Sequence, residues 1–426
     1  MTLSDGAPAR FLWLLRPPVP IDARMERIFL LVGVAALFAG YDMNVFGLAI
    51  PQIQASLHIP ENRVGLTVAY FRLAALAAML VAASADLVGR RRLLLFTILG
   101  QAAFTLLTAF TTDYASFVWA QVLTRVFGYA EEMLCFVVIA EEVAAAARGW
   151  ASGTISAFDY VGAGLASLVF AAVNILPYGW RAIYVIGAVP LFLVAWLRRR
   201  LPETRRFERQ HADDAKDTGA KTAAALALLR ELARQYPVRV LTILIAAGAF
   251  GFAVSPAAVL AQKYLQDVYR YTPGQVTLLL IPGGLAGLGL SILAGRLSDR
   301  LGRRRVTMAI AALAGVCFFF FYGGAPAGLL PVLWILAFFG FFSGEALIAG
   351  FALEIVPTRY RATVAGLRYV TYIGAGAAAL ALEGILYDKF ASHGRAIQTL
   401  LAAMPITVIA ILFLPEPAGK VLEEIA

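Results

Sequence analysis

The chain has 426 residues, of which 61% are hydrophobic and 15% are charged, with a net charge of +9 and a mean hydropathy of +0.77. Soluble domains are nearer half apolar and a quarter charged, so this composition excludes a soluble enzyme and a disordered chain. The basic residues fall in one set of loops, which indicates membrane topology rather than nucleic-acid binding. Both cysteines lie inside apolar runs, so no disulfide framework is implied.

Apolar runs along the chain predict helices that cross a membrane, because about 20 mostly apolar residues span the hydrocarbon core. The twelve predicted spans are 27–50, 64–85, 93–111, 116–140, 150–173, 181–198, 238–261, 274–295, 306–322, 328–352, 362–386 and 396–414. The long polar stretch in the middle contains apolar residues at helical spacing, which predicts an amphipathic helix on the membrane surface. The predicted segments are a cytoplasmic N-terminal segment 1–24, a six-helix bundle 25–198, a linker 199–237, a second six-helix bundle 238–414 and a tail 415–426.

The distribution of lysine and arginine predicts the orientation of these spans. If the N-terminus is inside, 27 of the 36 basic residues lie on the inner side, 6 lie outside and 3 lie within spans. Cytoplasmic loops of membrane proteins carry such an excess of positive charge. We therefore predict a multi-pass protein of the inner (plasma) membrane with both termini in the cytoplasm.

The two halves of the chain repeat each other at an offset of 213 residues. The motif DLVGRRR in the first half returns as DRLGRRR in the second. The pairs at this offset are Asp86 and Asp299, Gly89 and Gly302, Glu132 and Glu345, Glu141 and Glu354, and Arg148 and Arg361. Several motifs that share one offset without a gap predict two six-helix units of the same design. Because each unit has an even number of helices, both have the same orientation in the membrane.

The loop pattern G-x-x-x-D-R-x-G-R-R-R, complete from Gly295 to Arg305, resembles the signature of the major facilitator superfamily. The first copy departs from it with Ala82 for the leading glycine and Leu87 for the first arginine. The E-x-x-x-x-x-x-R pairs and the Pro-Glu after spans six and twelve resemble the sugar-porter and metabolite–proton symporter branches. This resemblance implies an all-α membrane fold and secondary transport by alternating access, with helices 1, 4, 7 and 10 lining a central cavity.

Charged residues at the short inner loops form a candidate gate. In the implied fold Asp86 and Asp299 lie near the N-termini of helices 11 and 5, whose positive ends favour a carboxylate. The gate residues are Asp86, Arg90, Glu141, Arg148, Asp299, Arg303, Glu354 and Arg361. Two interpretations of these charges remain: they form a latch between the halves, or they only set the membrane topology. The repeated acids favour the latch, because topology needs only the arginines.

Ionisable residues within the spans are costly and by default mark a transport pathway. Asp42 has Ser255 as its counterpart in the repeat, and this asymmetry favours a substrate or proton role over a structural pair. Arg125, which matches Phe338, is permanently charged. It either binds an anionic group of the substrate through two parallel hydrogen bonds or forms an ion pair with Glu132 or Asp42.

Other residues of spans four and ten complete the candidate site. Of two adjacent acids, the repeat favours Glu132 over Glu131 as the one that faces the cavity. An aromatic stripe on the face of Glu345 either covers an apolar ligand or packs in the core. The candidate substrate- and proton-binding residues are Asp42, Arg125, Tyr129, Glu132, Phe338, Phe342 and Glu345. We expect Arg72, Asp159 and Arg368 to form pairs between the halves first and substrate contacts second.

These residues favour proton-coupled symport of a small organic anion, with the proton as coupling ion and no other cofactor or metal. A sugar or polyol symporter is an alternative, although span seven has only Gln262 where sugar porters have a Gln-Gln pair. Proton-driven export of cationic or apolar compounds is another. The three histidines are predicted in loops, and no nucleotide-binding glycine loop is present, so ATP is not expected to drive transport. The expected partners are a small-molecule substrate and the lipid bilayer, and no nucleic acid is expected. We expect the protein to be a monomer and not an enzyme.

Overall fold

The computed structural model describes residues 23–143, 148–199, 228, 230–232 and 234–416. Its long helices, numbered in chain order, are α1 Ala23–Leu57, α2 Glu61–Ala83, α3 Arg90–Ala109, α4 Tyr114–Glu142, α5 Arg148–Ala171, α6 Trp180–Arg198, α7 Pro237–Asp267, α8 Pro273–Leu301, α9 Arg303–Tyr322, α10 Leu330–Glu354, α11 Arg361–Phe390, and α12, which consists of His393–Leu401 and Met404–Leu412. No strand occurs among the described residues. The predicted all-α architecture of twelve helices is thus confirmed.

Eleven of these helices, in the part of the chain that the structure describes, are long and apolar enough to cross a membrane. The remaining one, α4, is 29 residues long but carries Arg125, Glu131 and Glu132, which lower its hydropathy. Most of the predicted surface helix of the linker lies outside the described residues, as do the first 22 residues and the last ten.

The internal repeat of the sequence is also a repeat of the structure. α3 and α9 each have 20 residues, and both their first and their last residues are 213 positions apart. Each begins directly after a glycine with a left-handed backbone, Gly89 with φ of 98° and Gly302 with φ of 100°. A residue with a Cβ rarely adopts this conformation, so the repeated glycines fix the same tight turn in both halves.

The two halves are closed against each other at only one end of the described bundle. We call the end that holds Ala23 and Glu416 the linker face and the opposite end the far face. Near the far face α2 packs on α11, α5 on α8, and α1 on α7. Every hydrogen bond and ion pair recorded between the halves for the described residues lies in the half of the bundle nearer this face; examples are Gln52 to Gln266, Asn62 to Asp388, and Thr277 to the Ser167 carbonyl.

Candidate functional site

The repeated charges at the linker face form ion pairs within each half. Arg90 of α3 donates to Glu141 of α4 at 2.9 Å, and both side chains are buried. At the equivalent positions Arg303 of α9 lies 3.1 Å from Glu354 of α10, with both side chains partly exposed. Each pair therefore fastens the third helix of a half to the fourth, and neither pair joins the two halves.

The latch expected between the halves is not formed in this conformation. Asp299 contacts Arg303 of its own half at 2.7 Å and is 60% exposed. Glu354 of the candidate gate pairs with Arg303, and no ion pair of Glu354 with Arg361 is recorded among the described residues. The side chains of Asp86 and Arg148 lie outside the part of the chain that the structure describes. The latch stays a prediction for the conformation that is closed at the linker face.

The two adjacent acids of α4 have different surroundings. Glu131 forms an ion pair with Arg198 of α6, and both side chains are 1% exposed. It also accepts a hydrogen bond of 2.5 Å from Thr97 of α3. Glu132 is exposed and lies within electrostatic range of Asp159 on α5. Glu131 therefore holds the first half together, whereas Glu132 is exposed on the surface of that half.

Asp42 and Arg125 lie inside the first half rather than on a surface between the halves. Asp42 is 2% exposed; its Oδ2 accepts a hydrogen bond of 3.3 Å from Gln101, and its Oδ1 has no hydrogen bond. Arg125 is 5% exposed, donates to Gln121, and lies over the ring of Phe71 at 4.2 Å. Asp42 and Arg125 attract each other electrostatically.

The direct ion pair expected for Arg125 is not present among the described residues. Neither Glu132 nor Asp42 is in the recorded ion pairs of Arg125, and the guanidinium is held by Gln121 and aromatic rings instead. The physical reason is local: Gln121 is one helical turn before Arg125 on α4, whereas Glu132 lies two turns after it. The interpretation of Arg125 as a simple counter-ion of Glu132 is therefore wrong for this conformation.

The arginine of α11 pairs within its own half as well. Arg368 donates to Glu345 of α10 at 2.7 Å, and the arginine side chain is 9% exposed. α10 and α11 are neighbours in the second half, so this contact does not join the two halves. The expectation of an inter-half pair for Arg368 is wrong. For Asp159 no ion pair is recorded in the described part of the chain.

Arg72 of α2 does reach across to the other half. Its guanidinium lies 5.6 Å from the ring centroid of Tyr372 on α11, and its Nη1 is buried without a hydrogen bond. The hydroxyl of Ser255 on α7 is also buried without one. Arg72 Nη1 and Ser255 Oγ would lie 2.4 and 2.6 Å from a Cβ at Gly376, so the two polar atoms flank one point on α11. Sequence reasoning noted Ser255 only as the counterpart of Asp42.

Aromatic rings surround the contact between the halves near Arg72, Ser255 and Gly376, which we call the seam. Phe342 of α10 is 47% exposed and meets Tyr160 of α5 edge to face, with 6.1 Å between ring centroids. Tyr129 of α4 lies within electrostatic range of Tyr369 on α11. Phe338 instead stacks on Trp334 at 4.3 Å within the second half. Phe342 and the tyrosines can therefore contact a ligand, whereas Phe338 packs against its own half.

The side chains at the seam can bind an anion that has an apolar or aromatic body. The cations are Arg72 and Arg368, and the acids are Glu132, Asp159 and Glu345. An arginine can give a carboxylate two parallel hydrogen bonds, and aromatic rings can cover the body of the ligand. Among the described residues, no group of three or more His, Cys, Asp or Glu is placed to hold a metal ion.

Comparison with known proteins agrees with this architecture. The chain is 26% identical over 399 residues to a probable 4-methylmuconolactone transporter of Cupriavidus pinatubonensis, with 90% of this chain and 89% of the relative covered. It is 27% identical over 349 residues to the 3-(3-hydroxy-phenyl)propionate transporter of Escherichia coli, with 80% and 78% covered. The fold is similar to a D-xylose-proton symporter, with a TM-score of 0.74 and 17% identity over 93% of this chain and 100% of the other.

The family profile described as the Major Facilitator Superfamily matches residues 32–381, which is most of the chain. The family and these relatives are transporters and not enzymes, and they cross the membrane several times. The twelve helices, the two equivalent halves and the repeated glycine–arginine loops agree with that match. The chain therefore belongs to the Major Facilitator Superfamily of transporters.

Proposed function

We propose that this protein is a proton-coupled symporter of small organic anions, and specifically of carboxylates with an apolar or aromatic body. The observation that carries the proposal is Arg72, a permanent cation at the seam whose Nη1 is buried without a hydrogen bond beside the ring of Tyr372. A buried donor without a partner is costly, and a substrate carboxylate would satisfy it. Arg368 is less suited to this role, because Glu345 already neutralises it.

Asp42 is the residue that we assign to the coupling proton. Its Oδ1 is buried without a hydrogen bond, so a proton can be added there without breaking an existing contact. The nearby guanidinium of Arg125 stays charged, so protonation of Asp42 changes the local charge from neutral to positive. Such a change can bias the equilibrium between two arrangements of the helices.

The proposed direction is uptake across the inner (plasma) membrane. The excess of positive charge on the inner loops supports a cytoplasmic linker face with both termini on that side. In that orientation the conformation described above is closed to the outside. The names of the two transporters that the chain resembles support an organic acid or lactone with a ring as the substrate class. We propose that the protein acts as a monomer.

Transport by purified protein in proteoliposomes tests the substrate class. With an acidic outer solution, we expect accumulation of an aryl carboxylate but not of a pentose or a quaternary ammonium dye. Accumulation of the pentose would favour the sugar symporter, and extrusion of the dye would favour the exporter. Either result without carboxylate transport would contradict the proposal.

Variants of Arg72 test the site. Arg72→Ala should abolish binding of the carboxylate, because truncating a desolvated charge partner typically costs about 2–5 kcal/mol. Arg72→Lys should retain weak binding, since lysine keeps the charge but loses the planar fork. Arg63→Ala is the matched control: it lies on the same helix, is exposed, and faces Tyr114 of its own half. Equal affinities of the Arg72→Ala and Arg63→Ala proteins would exclude Arg72 as the anion site.

A further inference from the structure

A cluster of charged residues joins the two halves at the far face. Glu61 is the first residue of α2, Glu383 lies on α11, and His393 is the first residue of α12. The ring of His393 lies between the two carboxylates, with Nδ1 2.6 Å from Glu383 Oε1 and Nε2 2.8 Å from Glu61 Oε2. Glu383 is fully buried, and one of its oxygens has no hydrogen bond.

The hydrogen bonds of this cluster require one proton more than the ordinary forms of its members carry. A neutral imidazole has one N–H, so it can donate to only one of two ionised carboxylates. The other ring nitrogen would then present a lone pair to a carboxylate oxygen less than 3 Å away. An added proton, whether on the ring or on a carboxylate, turns both contacts into hydrogen bonds. The cluster therefore binds one added proton whether that proton is on the ring or on a carboxylate.

Closure of the far face brings the cluster together. Glu61 belongs to the first half, whereas Glu383 and His393 belong to the second. If the halves separate at this face, His393 keeps Glu383 as a neighbour and loses Glu61, so the single N–H of a neutral ring is sufficient. A cavity of about 240 Å³ adjoins the cluster, and the His393 side chain is 14% exposed. Water, and with it a proton, can thus reach the ring.

The other charged and titratable groups around His393 do not replace this proton. Lys263 of α7 lies 3.0 Å from Glu61, but it also pairs with Asp267 at 2.5 Å. The ring of Tyr387 on α11 lies 4.3 Å from that of His393, and Tyr264 of α7 lines the same cavity. With a neutral ring the acids Glu61, Asp267 and Glu383 outnumber the single lysine, and the added proton reduces this excess.

We propose that Glu61, Glu383 and His393 form a proton-binding site at the far face that is complete only when the two halves are closed there. Closing the far face then takes up one proton from the solution on that side. By linkage, lower pH favours the closed conformation, and the ratio of closed to open protein changes by at most about tenfold for each pH unit. The site is separate from Asp42, and it depends neither on that assignment nor on the substrate.

Distance measurements on the full chain test the proposal without any substrate. Spin labels at Ile175→Cys and Leu329→Cys report the separation of the halves, since both positions are exposed at the far face, one in each half. The native cysteines are buried, and the chain without the added cysteines measures any labelling of them. In nanodiscs between about pH 5 and 8, the population with the short distance should increase as the pH falls.

Substitutions identify the group that carries this dependence. In an Asp42→Asn background, where Asp42 contributes no proton of its own, His393→Gln should remove the pH dependence, because a glutamine NH2 can donate to both carboxylates without an added proton. Glu383→Gln should remove it too, because the new amide can donate to a neutral ring while Nε2–H donates to Glu61. His58→Gln is the matched control, an exposed histidine in the far-face loop between α1 and α2, and it should behave as the unmodified protein.

Several results would overturn the site. One is a distance distribution of the unmodified protein that does not change with pH. Another is an unchanged pH dependence in folded Glu383→Gln protein. This variant still tests the proposal if the His393→Gln protein does not fold. In an Asp42→Asn background the dependence should persist; its loss there would assign the linked proton to Asp42 instead. A failure to transport organic anions would refute the proposed substrate class and leave these distances unaffected.

Discussion

Replacing Gly384 by alanine should push the two halves apart at the far face. A Cβ at this position of α11 would lie 2.0 Å from the backbone oxygen of Asn62 on α2. Since real Cβ atoms stay at least 3.0 Å from such an atom, the helices would have to separate by about 1 Å there. The contact is with the backbone, so rotation of a side chain cannot relieve it. The hydrogen bond of Asn62 to Asp388, 3.1 Å long, lies at the same contact and would be strained as well.

The expected size of the effect follows from the cost of overpacking. Extra methyl groups in well-packed sites typically cost about 1–3 kcal/mol, which corresponds to about a 5- to 150-fold lower ratio of closed to open protein. Alanine also favours helix over glycine by about 1 kcal/mol. That gain applies to both conformations, because α11 is a helix in each, and it cancels from the ratio.

The same pair of spin labels measures the ratio, and Gly374→Ala is the matched control on the same helix. No atom lies within 4 Å of a Cβ at Gly374, so this substitution should leave the distance distribution unchanged and maintain or raise thermal stability. Gly384→Ala should shift the distribution to the longer distance at every pH. If the two alanine variants give the same distribution, the close approach of α2 and α11 does not limit closure.

Three further substitutions test other contacts. Asp42→Asn should abolish accumulation driven by a pH gradient and leave downhill exchange partly intact; continued accumulation would place the coupling proton elsewhere. Asp299→Asn should shift the population toward the conformation seen here, because Asp299 pairs with Arg303 of its own half in this conformation and the latch would form in the other one; unchanged accessibility of a cysteine placed at the linker face would contradict the latch. Glu131→Gln should lower thermal stability strongly, since breaking a buried ion pair such as that with Arg198 costs about 3–5 kcal/mol; a melting temperature like that of the unmodified protein would contradict this.

The sequence predicted the helices and their repeat well, because both follow from patterns of residues that are close together in the chain. A run of apolar residues is a direct consequence of contact with lipid, and it marks a span without reference to any distant residue. The turns at Gly89 and Gly302 are likewise local, since the glycine and the arginines that follow it are adjacent in the chain. The choice of Glu132 over Glu131 as the cavity residue rests on the repeat, which supplies a second copy of Glu132 in Glu345, and it stays a prediction.

Contacts between distant residues were the part that local patterns could not supply. His393 was predicted in a loop, yet it begins α12 and contacts Glu61, which is 332 positions away in the chain. For Arg125 the sequence left open a substrate anion or an acidic side chain as the partner, but in this conformation Gln121 and the ring of Phe71 contact its guanidinium. One signal for the far-face cluster was present: charged residues recur at the outer ends of the predicted spans, where each needs a partner.

Some internal contacts recur in both halves, whereas the residues that we assign to proton binding do not. Arg90 with Glu141 and Arg303 with Glu354 recur at the same offset, and both pairs act inside one half. The residues that we assign to proton binding do not recur: their counterparts at the offset are Ser255 for Asp42, Gly274 for Glu61, Phe170 for Glu383 and Trp180 for His393. Two halves of the same design can use the same internal ion pair, although not every internal pair recurs: Glu131 with Arg198 has no counterpart in the second half. A substrate and a proton have no such symmetry, so the side chains that bind them need not recur in both halves.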